Sequence, residues 1–269
     1  MPLAEPLDVW RVLKGSGVRR VKFVVADVCG RPRGVVLPVD EARSVFREGL
    51  SFDGSSVPEY APVFDSDVLA EPDPSAVYVE PWGGEAWVFC DVVDPPRARS
   101  VDPRGLLRRR VRELEERGLS ALVGFEVEFF LVRVEGGRVL PADEGGYFDV
   151  SQPTMEVVKR VGAAIERAGL GRPKVHHEVA PGQYEYNLPP LDPLRAADSF
   201  LFSKHLALKV AGLHGLRATF MPKPFWGLNG SGAHTHIKLS AREGCGGNGA
   251  LGPLELHGLA GVLKRARAL

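Results

Sequence analysis

An excess of charge of either sign is missing from this 269-residue chain. Its 34 basic residues offset 34 acidic ones, so no bulk field draws it to nucleic acid or to a membrane surface, and neither is expected as a partner. Cysteine is scarce. Cys29, Cys90 and Cys245 stand far apart and lack the paired spacing of a zinc site. There is no signal-peptide pattern and no long apolar run, so a cytoplasmic location is expected. The chain has neither a Walker-type phosphate loop nor the glycine fingerprint of a dinucleotide fold. Any nucleotide site must therefore be built on a sheet. What remains is an ordinary globular balance, 44% hydrophobic and 25% charged. The length suits one large domain, or a small one followed by a larger one.

The first hundred residues read as short strands and turns. Val21 to Asp27 is β-rich, and Gly30-Arg31-Pro32 turns it toward a second run, Gly34 to Pro38. Ala76 to Glu80 and Ala86 to Cys90 form a further hairpin pattern around Pro81-Trp82-Gly83-Gly84. The stretch Asp94-Pro95-Pro96-Arg97-Ala98 continues neither element and marks a boundary. Helices then begin. Asp102-Pro103 is a capping pair ahead of Leu106, Leu107, Val111 and Leu114, with Gly118 as the stop. Val157, Val161, Ala164 and Ile165 mark a second helix. Asp192-Pro193 opens a third, with Leu194, Ala197, Leu201 and Leu208 expected on its apolar face.

Acidic residues recur between these helices in a pattern with chemical consequences. Alternation over Leu122 to Phe130 predicts a strand, with Glu126 and Glu128 on one face and Phe125, Val127 and Phe129 on the other. Such a pair is either a solvated strand face or one side of a cation site. His176 to Tyr186 predicts a hairpin turning at Pro181-Gly182. If Ala180 and Gln183 flank the turn, Glu178 faces Glu185 and Val179 faces Tyr184. Like charges directly opposite are destabilising unless a cation sits between them or the acids splay into water. Further on, Asn229-Gly230-Ser231-Gly232 is a loop that lets backbone approach a ligand closely, and His234 and His236 follow on one strand face. A set dominated by carboxylates, with histidine in the minority and cysteine absent, favours Mg2+ or Mn2+ over zinc. From the residues alone, the chain reads as a metal-dependent enzyme, with phosphoryl transfer one chemistry open to it, since Mg2+ held by carboxylates is the usual partner of nucleotide phosphates.

At these residues the sequence resembles class-I glutamine synthetase of the bacterial and archaeal type. The resemblance is carried by Phe52-Asp53-Gly54-Ser55-Ser56, by Gly124 to Phe130, by His176 to Glu185, and by Lys223-Pro224 through His236. It implies an α+β fold, with a β-grasp domain over residues 1–98. The first part of the catalytic domain, a curved antiparallel sheet with helices, would then occupy residues 99–269. It also implies a glutamate–ammonia ligase that forms a γ-glutamyl phosphate from ATP and works in rings, usually dodecamers, with sites between neighbouring subunits. Two Mg2+ or Mn2+ ions per site are implied, Glu128, Glu178 and Glu185 holding one and Glu126 with His234 the other. Asn229 and Gly230 would contact glutamate and His236 the nucleotide. Asp53 would serve ammonium in a neighbour's site, with Ser56 and Tyr147 nearby.

The match departs from the family in two places. Lys238 stands where a serine is common. The family also continues beyond a helix like the one reaching Leu269, into a portion that carries the second ion's remaining ligand, phosphate-binding arginines and a flap glutamate. Three functional readings follow: a glutamate–ammonia ligase, a non-catalytic relative that binds metal or nucleotide or assembles with a complete synthetase, and a γ-glutamyl ligase using another amine. The Asp53-Gly54-Ser55-Ser56 signature favours ammonia.

Overall fold

In a computed structural model, residues 6–241 and 252–268 are described, so Cys245 and Leu269 lie outside the described residues. The first half runs α1 (Pro6–Gly15), β1 (Arg20–Ala26), β2 (Pro32–Pro38), α2 (Ala42–Glu48), β3 (Leu50–Asp53), β4 (Asp67–Val79), β5 (Glu85–Asp94) and α3 (Pro96–Val101). It continues through α4 (Pro103–Glu116), β6 (Leu119–Glu135), β7 (Arg138–Pro141), α5 (Met155–Arg167), β8 (Val175–His177) and β9 (Gln183–Leu191). Last come α6 (Pro193–Leu213), β10 (Arg217–Thr219), β11 (Ala233–Ala241) and α7 (Pro253–Lys264).

Two sheets organise these elements. The first has the order β2-β1-β5-β4-β3, with β1 parallel to β5 and its other pairs antiparallel. The hairpin expected between Ala76 and Cys90 is present, with Tyr78 opposite Trp87. The second sheet, order β10-β6-β9-β8, is antiparallel and is built on the 17-residue β6, with β7 and β11 also pairing to that strand. The result is the α+β architecture that the sequence implied, a β-grasp unit followed by an antiparallel sheet with helices.

The helices begin where local chemistry dictates. The Asp102 side chain accepts from the Gly105 amide, with Pro103 in the first turn of α4. Asp192 does the same for α6 through Arg195. The apolar face of α6 differs from expectation. Ala196, Ser199, Phe202, Ser203, Leu206, Ala207 and Val210 are buried, whereas Leu208 is exposed. The physical reason is that α6 packs between both sheets. Phe202 meets Tyr78 and Trp87 of the first sheet at 5.3 and 5.5 Å between rings. Tyr186 of the second sheet places its hydroxyl 3.0 Å from Ser203. Small residues and serines let the sheets approach, and one core runs through Trp87, Phe129, Tyr184, Phe202 and Leu206.

Ion pairs tie the same seam. Arg104, nearly buried, reaches Asp73 at 2.8 Å, Asp91 at 2.5 Å and Asp198 at 2.9 Å. Glu80, fully buried, accepts from Lys22 at 2.9 Å and from Lys209, and lies 2.9 Å from His205. Among the described residues, no helix is long and apolar enough to cross a membrane.

Candidate metal centre

Pleating puts Phe125, Val127 and Phe129 of β6 into the core and leaves Glu126 and Glu128 on the opposite face, as the alternation predicts. Register then decides what these acids meet. Across β6 and β9, Glu128 stands directly opposite Glu185 and Glu126 opposite Asn187. Across β6 and β11, His234 stands opposite Glu126, and His236 opposite Gly124. His234 Nδ1 and His236 Nε2 lie 2.9 and 3.2 Å from the two oxygens of Glu126. His234 Nε2 is 3.8 Å from Glu128.

The β8–β9 hairpin corrects one expectation. His176, rather than Glu178, stands opposite Glu185, and His177, rather than Val179, stands opposite Tyr184. The turn itself is as expected, with Gln183 N–H donating to Ala180 O and Gly182 at φ +70°. However, Val179 loops out into solvent while Ala180 tucks against Phe130 and Val132. Burying Ala180 shifts the pairing by two residues, so that the Glu178 amide meets Gln183 O at 2.7 Å. A slip of two preserves the faces. Glu178 therefore still joins the acids, together with His176, 3.4 Å from Glu178 and 3.2 Å from Glu185. The like-charge opposition itself lies between Glu128 and Glu185.

Two ligand sets result, each with its donor atoms within 4.8 Å of one another: Glu126, Glu185 and His234, and His176, Glu178 and Glu185. Glu185 belongs to both. Glu128 and Glu185 are nearly buried, at 11% and 8% side-chain exposure. Among the described residues, the ion-pair partners of Glu126, Glu128, Glu178 and Glu185 are imidazoles, with no lysine or arginine. Two such charges about 5 Å apart repel by roughly 3 kcal/mol at an effective dielectric near 20. Burial and then the neighbouring Glu128 charge push the Glu178 carboxyl above its ordinary range. The hydrogen bond from His234 holds Glu126 below its range, and the same bond raises His234. A hard divalent cation suits this oxygen-rich donor set.

The glycine loop closes on the acids. Gln183 donates from its amide to Gly230 O at 2.8 Å and to Glu128 at 3.1 Å, and Gly232 N–H donates to Glu128 at 3.0 Å. A Cβ at Gly230 would lie 2.8 Å from Pro222 O, so the close approach requires glycine. Asn229 is exposed beside it. Tyr147 stacks on Phe148 at 4.0 Å and stands edge-on to His176 at 6.2 Å, which brings it to the Glu178 end of the site.

Asp53 and Ser56 are not brought there. Asp53 ends β3 on the edge of the first sheet and Ser56 closes the 3-10 turn after it; the exposed Asp53 accepts from Ser55 N–H at 2.8 Å and Oγ at 2.6 Å. These bonds lower its pKa. Sequence reasoning missed His176 and Gln183 as site residues. His176 stands two positions before Glu178, a spacing that signals a shared face; nothing local marked Gln183.

The architecture is a carboxylate-lined antiparallel sheet, flanked by a glycine-rich loop and joined to a β-grasp unit. The glutamine synthetase β-grasp domain matches residues 17–95 and the glutamine synthetase catalytic domain matches residues 100–269. The chain belongs to the glutamine synthetase family. Among curated relatives, the glutamine synthetase of Pyrococcus woesei is 36% identical over 260 residues, covering 94% of this chain and 59% of that protein. That of Methanocaldococcus jannaschii is 37% identical over 281 residues, covering 96% and 62%. The ADP complex of GmaS superposes with a TM-score of 0.87 at 29% identity, over 96% of this chain and 63% of that one. A cryoEM structure of Plasmodium falciparum glutamine synthetase, at 21% identity and TM-score 0.84, shares the fold. The chain thus spans about 60% of the length of the curated relatives it matches.

Proposed function

We propose that this chain carries the metal-binding sheet of an ATP-dependent ligase that amidates glutamate with ammonia through a γ-glutamyl phosphate. The observation that carries the reading is the group of four carboxylates on one sheet face, offset only by imidazoles among the described residues. Glu128, Glu178 and Glu185, with His176 beside them, would hold one Mg2+ or Mn2+. Glu126 and His234 would hold the other, with Glu185 within reach of both. Bound there, the ions supply Lewis-acid neutralisation of the transferring phosphoryl group.

The chain's own residues do the rest. Gln183 anchors the loop so that Asn229 and Gly230 present polar atoms to glutamate at the edge of the acid cluster. His236, exposed beside Glu126, would contact the nucleotide. Asp53 is held ionised by Ser55 and attracts ammonium as an anion. Its place on the edge of the first sheet suits a neighbouring subunit's site in a ring. Ser56 lies beside it, whereas Tyr147 lies at the Glu178 end of the acid cluster.

The test is Mn2+ titration of the 269-residue chain, followed by ammonium-dependent phosphate release with glutamate, ATP and Mg2+. Micromolar Mn2+ binding supports the site. A folded chain that ignores Mn2+ sinks it. Phosphate release with matching glutamine formation extends the reading to catalysis by this length of chain.

A further inference from the structure

The ligand set has a buried foundation that touches none of its donor atoms. Asp143, just after β7, is 4% exposed in its side chain and sits beneath the β8–β9 hairpin. Its Oδ1 accepts from the Gly182 amide at 2.7 Å, and His177 Nε2 lies 3.0 Å from the same atom. Its Oδ2 accepts from Thr154 Oγ1 at 2.6 Å and from the Tyr184 hydroxyl at 2.5 Å. His177 is fully buried, and its Nδ1–H donates to the Glu178 carbonyl at 2.6 Å. One carboxylate therefore grips the turn and both strands, at residues adjoining Glu178 and Glu185.

Glu178 needs such support. It lies one residue past the end of β8, where the ladder gives way to the looped-out Val179. Its amide is held by Gln183 O and its carbonyl by His177. Through His177 the carbonyl is linked to Asp143. The turn is equally constrained, because a Cβ at Gly182 would lie 2.7 Å from Leu131 O.

We propose that Asp143 is a positioning residue. Through His177 and the Gly182 turn, it fixes the backbone from which Glu178 reaches a divalent cation. The inference rests on the metal-site reading above and deepens it. Outer partners of ligand residues are commonly worth about 10- to 100-fold in metal affinity.

The experiment is Mn2+ affinity, by titration with paramagnetic detection of free ion, for the full chain and three variants, each with a thermal unfolding curve. In Asp143→Asn the amide cannot accept at both ends, and Mn2+ should bind about 10- to 100-fold more weakly. His177→Gln keeps a donor toward Asp143 and loses the bond to the Glu178 carbonyl, so it should weaken Mn2+ in the same range. Tyr184→Phe removes one hydrogen bond from the far oxygen and leaves the His177 and Gly182 links. It should lower stability while keeping Mn2+ affinity within about threefold of wild type. Equal Mn2+ affinity in wild type and His177→Gln overturns the proposal even if Asp143→Asn fails to fold. Affinity losses that track unfolding temperature across all three variants also overturn it, since they would mean a structural role alone. A folded wild type that does not bind Mn2+ removes the metal-site reading, and this inference with it.

Discussion

Replacing Arg104 with methionine tests whether the two sheets are held together by charge as well as by apolar packing. The Arg104 guanidinium bridges Asp73 and Asp91 of the first sheet to Asp198 of α6. Arg108 also reaches Asp73 and Asp91, at 2.6 and 2.7 Å, so these two keep a partner when Arg104 is lost. Asp198 keeps none among the described residues, and its side chain is 3% exposed. Stranding one charge of a buried pair costs about 3–5 kcal/mol, and Arg104→Met should lose that much in urea unfolding followed by fluorescence of the buried Trp87.

The loss should depend on pH with a defined sign. Burial pushes the Asp198 carboxyl up to about 6 even with Arg104 opposing the shift. An unfolded aspartate titrates near 3.9. Between these values the native state holds a proton that the unfolded chain releases, so stability contributed here falls as pH rises. Without Arg104 the native carboxyl titrates higher still, and the fall continues above pH 6. The variant's deficit should therefore grow between pH 6 and pH 8 and level off at its smaller value below pH 6. Adding Asp198→Asn should recover most of it at pH 8. A deficit under about 1 kcal/mol, or one flat with pH, would refute this account of the seam.

Three further outcomes are expected. Glu80→Gln leaves Lys22, His205 and Lys209 around a neutral group at the seam; it should cost about 3 kcal/mol in chemical unfolding, and a change below about 1 kcal/mol would count against it. The Glu80 carboxyl is held below its usual range by His205, Lys209 and Lys22 against the effect of burial. The stability it provides is therefore present above the unfolded glutamate pKa and lost as pH falls below it, so the Glu80→Gln deficit should fade in acid. Glu128→Gln should weaken Mn2+ at least about tenfold yet leave the metal-free chain as stable or more so, because a buried like-charge opposition is relieved; a clear drop in melting temperature would contradict the repulsion. Gly182→Ala meets both a φ of +70° and the Leu131 carbonyl, and should destabilise by more than about 1 kcal/mol while weakening Mn2+; a neutral effect in both assays would place the turn elsewhere.

What local chemistry dictates was legible in the chain. Period-two alternation alone put Glu126 and Glu128 on one face and Phe125, Val127 and Phe129 on the other, because pleating leaves no third choice. The caps at Asp102 and Asp192 were equally readable, since the bond each side chain makes spans only three residues. Hairpins with short turns followed for the same reason. The β8–β9 register did not. It was set by burying Ala180 under Phe130 and Val132, a gain that exists only once β6 lies alongside. The face of α6 was likewise undecidable from periodicity, because a helix between two sheets is buried on more than one side. The union of Glu126, Glu128, Glu178 and Glu185 with His176 and His234 came from strands far apart in sequence. The grip of Asp143 on His177 and Gly182 joins positions whose neighbours carry no pattern that links them. The sequence determined which side chains share a face, because that depends on backbone geometry within one element. The tertiary structure decided which of those faces meet, because that depends on packing between elements.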